Sequence, residues 1–110
     1  MNDEKWEQMW DAAQTVQRHL YVDEIVPRRL TVDEWSIRVT VGRDQLGAAA
    51  VTLFKDASSL PVMMYAGAEG TTSSVMGLVD GVEVVITAFR AHATQTSSCT
   101  VADLLAGEQR

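Results

Sequence analysis

Three side chains are of the soft kind that bind transition metals or pair as nucleophile and base: His19, His92 and Cys99. Structural zinc uses four ligands in short paired spacings such as C-x2-C or H-x3-H, and the sequence has neither. A nucleophilic pair would set Cys99 beside His92 as its base, but S-S-C-T-V-A holds no positive charge to lower the thiol pKa. These residues therefore read as structural or incidental, with no metal site and no catalytic thiol. Cys99→Ser and His92→Ala are expected to leave function intact.

The glycine-rich run G-A-E-G-T-T at 67–72 offers backbone N–H groups and hydroxyls of the kind that cradle phosphate. A P-loop also needs G-K-[ST] opening a helix; here the lysine is missing and the next residues read as a strand, so an exposed loop between strands is expected. Carboxylates stand in adjacent pairs, Asp23-Glu24 and Asp33-Glu34, and singly at Asp80 and Glu83. Acid–base hydrolysis needs two carboxyls converging on one bond, whereas neighbours along an extended chain point to opposite sides. They read as solvated charge. No catalytic residue and no cofactor fingerprint emerges, so an enzyme is disfavoured.

Composition narrows the remaining classes. A chain of 110 residues suits one domain, 1–110, able to bury a core without disulfide or metal staples. The formal charge of −6 leans to the N-terminal third, with eight acids against four bases through Glu34. Phosphate neutralisation needs a clustered basic face, and the adjacent pair Arg28-Arg29 sits between acidic pairs, which argues against direct nucleic-acid binding. A single cysteine fits a reducing compartment, and the cytoplasm is expected. The start M-N-D-E-K-W-E lacks the basic and apolar regions of a signal peptide, and no apolar run approaches the ~18 residues of a membrane span.

The elements that must position any site begin with a helix from about Glu4 to Leu20. Trp6, Met9, Trp10, Ala13, Val16 and Leu20 recur every three or four residues as one apolar stripe, with acids in the first turn and Arg18 and His19 in the last. Residues 21–34 read as a connector, because Pro27 bars a continuous helix. From Trp35 the pattern alternates with period two: Trp35, Ile37, Val39 and Val41 on one face, Ser36, Arg38 and Thr40 on the other. Ala48–Phe54 reads as a second strand and Val62–Ala66, after Pro61, as a third. Asp80-Gly81 between two β-branched runs predicts a tight hairpin joining the last two. Thr100 and Asp103 have capping-box spacing ahead of a short helix bearing Leu104 and Leu105.

The expected fold is α+β: an N-terminal amphipathic helix on a five-stranded antiparallel meander over 35–93, strands pairing in order, then a tail over 94–110 with a short helix. One strand stands apart. Val82, Val84, Ile86 and Ala88 are apolar on one face, while Val85, Phe89 and Ala91 are apolar on the other. A sheet with helices on one side should alternate apolar and polar, so the second face needs a cover. With Phe54, Leu104 and Leu105, the residues Val85 and Phe89 form the expected contact surface, and Val84 and Ile86 the core. The functional expectation is a non-enzymatic protein-interaction module: a homodimer or assembly subunit, or a small acidic inhibitor or immunity-type protein. Two alternatives are a ligand or enzymatic pocket between helix and sheet lined by Trp6, Trp10 and Trp35, and an acidic mimic of nucleic acid.

Overall fold

In the computed structural model, which describes residues 3–91 and 99–108, Asp80 and Gly81 both adopt positive φ, 51° and 79°. Those are the signs a type I′ turn requires, and they suit Asp-Gly because glycine carries no Cβ to clash. The turn joins β4 (Gly70–Val79) to β5 (Val82–Ala91), paired antiparallel without a break from Val79↔Val82 to Gly70↔Ala91. β4 thus begins inside the glycine-rich run, and Thr71 and Thr72 are ladder residues rather than the tip of a phosphate-binding loop.

The remaining described elements are α1 (Asp3–Val22), β1 (Arg29–Val32), β2 (Ser36–Thr40), α2 (Leu46–Leu53), a 3-10 turn at Ala57–Ser59, β3 (Pro61–Ala66), β6 (Cys99–Thr100) and α3 (Val101–Glu108). The strands form a six-stranded mixed sheet in the order β1-β2-β5-β4-β3-β6. The α+β class, the N-terminal helix and the short C-terminal helix match the sequence reading. The five-stranded meander does not. Four residues of the expected connector form β1, whose Leu30 pairs with Val39 and Thr31 with Arg38. β2 pairs with β5 in parallel, Ile37 beside Val84 and Val39 beside Ile86, so sequence neighbours do not simply pair in order.

The expected second strand is the helix α2. Its sequence L-G-A-A-A-V-T-L satisfies period two, but Leu46, Ala49, Ala50 and Leu53 also form a helical stripe, and all four are buried. Topology selects the helix: the chain leaves β2 and must cross the sheet to reach β3, three positions away, and a helix satisfies its own backbone while crossing. α1 touches β1, β2, β4, β5 and α2, and α2 touches β4, β5 and α3, so the helices share one side of the sheet. Val82, Val84, Ile86 and Ala88 point to them, with Ile37, Val39 and Val75 from the flanking strands.

α1 packs through a narrower stripe than the periodicity suggests. Met9, Ala12, Ala13, Val16 and Leu20 are buried, whereas Trp6 is 37% and Trp10 54% exposed. Small Ala12 and Ala13 let the helix backbone approach its neighbours closely, which leaves the two indoles on its flank. At its C-terminus the Ile25 N–H donates to the Leu20 carbonyl (2.8 Å) and the Glu24 N–H to the Tyr21 carbonyl (3.0 Å), a Schellman closure with apolar Ile25 against Leu20. The left-handed position is held by Glu24, φ 61°, instead of glycine. Glu24→Gly is expected to stabilise the protein by about 1 kcal/mol, read as a Tm rise of several degrees.

The β1–β2 turn is held by Asp33, whose Oδ1 accepts the N–H groups of Trp35 and Ser36, both at 2.8 Å. Asp33 is therefore the cap of this turn. Those two backbone donors, in that order, hold the Asp33 carboxyl below its ordinary pKa, with Arg38 adding to the effect. Because the folded value is the lower one, the carboxylate's contribution is complete above the unfolded pKa and drains away as pH falls through the folded pKa. Wild type should therefore exceed Asp33→Ala in urea midpoint at neutral pH, and the gap should narrow in strong acid. An equal gap at both pH values would refute this role.

Candidate functional site

On the side of the sheet away from the helices, strand register lines up four rows of side chains. Tyr65, Thr72 and Phe89 share one; Met63, Ser74, Thr87 and Thr40 the next; Met76, Val85 and Arg38 the third; Leu78, Glu83 and Ser36 the last. Among these, Met63, Tyr65, Met76, Leu78 and Phe89 are each at least 40% exposed, with Leu78 at 67% and Tyr65 at 62%. Thr40 and Thr87 join hydroxyls at 3.3 Å across the parallel pair. Glu83 is the one charged residue that β3, β4 and β5 contribute to these rows, and Arg38 enters from β2. Among the described residues no helix or strand packs on this face.

The alternation on β5 divides as expected: Val84 and Ile86 are wholly buried, while Val85 is half-buried and Phe89 is 45% exposed on the other side. The other expected contact residues lie elsewhere. Phe54 is buried beneath α2, with its ring stacked over the backbone of Gly77. The alternation at 48–54 predicts a strand face for it; with 46–53 helical, the chain carries it into the core. Leu104 and Leu105 are half-buried on α3, packed against the core on the helix side. The short helix therefore does not close the second face of the sheet. Sequence reasoning passed over Met76 and Leu78, although the alternation of Val75, Gly77 and Val79 with them across β4 was there to be read.

All three tryptophans are exposed. Trp35 is 73% exposed at the β1–β2 turn, where Lys5 Nζ stands 4.3 Å from its ring centroid in a cation–π contact. Among the described residues, no group of three or more His, Cys, Asp or Glu side chains is placed to hold a metal. Cys99 is half-buried in β6 at the sheet edge; burial, and then the nearby Asp103 carboxylate, raise its thiol pKa, which opposes the thiolate a nucleophile needs. His92 lies outside the described residues. The expected cap of α3 is formed: Asp103 Oδ2 accepts the Thr100 N–H at 2.9 Å, and the Asp103 N–H reaches Thr100 Oγ1 at 3.4 Å. No described helix is long and apolar enough to cross a membrane. Compared with family models, with curated proteins and with solved structures, the chain matches none.

Proposed function

We propose that the protein is a non-enzymatic association module whose uncovered sheet face docks a second copy of the chain. The observation that carries this reading is the row of large apolar side chains on β3, β4 and β5, open on a face that helices leave bare. Contiguous apolar patches of this kind mark contact surfaces more often than inert ones. β4 and β5 each run 10 residues. With β2 (5 residues) and β3 (6 residues) beside them the footprint is roughly 500 Å² before side-chain relief, against the ~800 Å² per partner of a standard interface.

A second copy fits better than a charged partner. Net charge of −6 would make two copies repel, yet the contact rows hold little charge, and Arg38 and Glu83 supply one of each sign. In a two-fold contact every residue is used twice, so a patch that is nearly neutral is compatible with itself. Met63 and Met76 have the flexible, polarizable side chains that fill uneven contacts. Light scattering at micromolar concentration is expected to return twice the 12.1 kDa chain mass, little changed by salt because the contact is apolar. A monomer mass down to low salt would remove this reading.

A further inference from the structure

The positions of β4 and β5 that face the helices change character along the strands. Near the hairpin turn they are Val79, Val82, Val84 and Val75; towards the far end they become Ala88, Ser73, Thr71 and Arg90. Shortened side chains leave a cavity of about 150 Å³ there, floored by Ala88, Ser73 and Thr71 and walled by Leu46 of α2, Met64 of β3, Phe89 of β5 and Leu104 of α3. Arg43 and Arg90, both exposed, stand at its mouth. Two exposed guanidiniums beside a small cavity are not what a core layer needs for stability; they suit recognition of an anion.

Two carboxylates, Asp44 and Asp103, stand near the mouth without a close ion pair to either arginine. Asp44 meets Arg43 only at 3.8 Å between well-exposed groups, a weak pair. Asp103 faces the outer part of the same opening with its Oδ2 turned to the cap of α3, and its charge offsets part of that of the arginines. A space of about this size has room for a benzene ring. Guanidinium groups hold carboxylates through paired, charge-assisted hydrogen bonds.

We propose that this cavity binds a compact organic carboxylate, with an apolar body of about benzene size inside it and the anionic group held by Arg43 and Arg90. The site opens at the far end of β4 and β5 on the helix side of the sheet, and Phe89 of the proposed dimer face also borders it. Leu46, Met64 and Leu104 enclose the body, while Ser73 offers a hydroxyl from the floor.

The test is a titration of the full chain, followed by amide chemical shifts, with benzoate, benzyl alcohol and inorganic phosphate. Benzoate is expected to give saturable shifts at Leu46 and Leu104 with a Kd of roughly 1 mM or tighter. Benzyl alcohol and phosphate should each bind at least tenfold more weakly. Arg90→Gln and Arg43→Gln alter exposed side chains, so the fold should persist while benzoate affinity drops at least tenfold. No saturable shift with benzoate overturns the proposal, as does equal binding of the alcohol, equal binding of phosphate, or affinity unchanged in both arginine variants.

Discussion

Phe89→Glu is expected to yield a folded monomer, and Ile86→Glu to yield no folded protein. The two substitutions introduce the same carboxylate three residues apart on one strand, so only the direction of the side chain distinguishes them. Ile86 is wholly buried, beside Val39 of β2 and Val75 of β4. A carboxylate there must stay ionised without a partner or take up a proton, while the isoleucine packing is lost as well. The combined cost is about 4 kcal/mol or more, a large part of the ~5–15 kcal/mol that holds a domain of this size together. Phe89 is 45% exposed in the row of Tyr65 and Thr72, where a charge stays hydrated in the monomer but must be desolvated in the proposed contact. Association should weaken at least tenfold, since a buried aromatic anchor contributes on the order of 2 kcal/mol. Solution mass and far-UV circular dichroism on both variants decide it. A dimer that survives Phe89→Glu unchanged would move the contact off this face, and a well-folded Ile86→Glu would contradict its burial.

The second large effect is expected at Phe54 and Gly77, which act as a pair. A Cβ at Gly77 would fall 2.5 Å from Phe54 Cδ1 and 2.6 Å from Cγ, so the ring occupies the space that the glycine vacates. Phe54→Ala should cost about 3–5 kcal/mol, because a 6%-exposed ring is removed and its neighbours cannot fully collapse into the gap. Gly77→Ala should cost about 1–3 kcal/mol through overpacking against that ring. In the Phe54→Ala background the same glycine substitution meets no ring and gains from alanine's smaller backbone entropy, so its cost should vanish or reverse. Urea denaturation of the four proteins measures the coupling. Strictly additive costs would mean that the ring does not depend on the bare backbone beneath it.

Both expectations draw on information of different range. Local chemistry determined what can be decided within a few residues. Asp80-Gly81 permits the positive φ values of a tight turn, Thr100 and Asp103 satisfy each other at the start of α3, and the three-four spacing of Met9, Ala13, Val16 and Leu20 makes α1 amphipathic. The alternation along β5 separates Val84 and Ile86 from Val85 and Phe89, because successive side chains of a strand must point to opposite faces.

Only the tertiary structure decided what those faces meet. L-G-A-A-A-V-T-L fits strand and helix periods alike, and the crossing from β2 to the far edge of the sheet selects the helix, carrying Phe54 from a supposed surface into the core. The parallel pairing of β2 with β5 joins residues more than forty positions apart, beyond the reach of any local pattern. Four-residue β1 is too short to stand out beside Pro27 and its charged neighbours, and it forms because β2 offers an edge to pair with. The exposure of Trp6 and Trp10 follows from α1 seating itself through Ala12 and Ala13, where backbones can come close. Even the bare face is a collective result: each strand specifies two sides, but which side remains open depends on where all the helices settle.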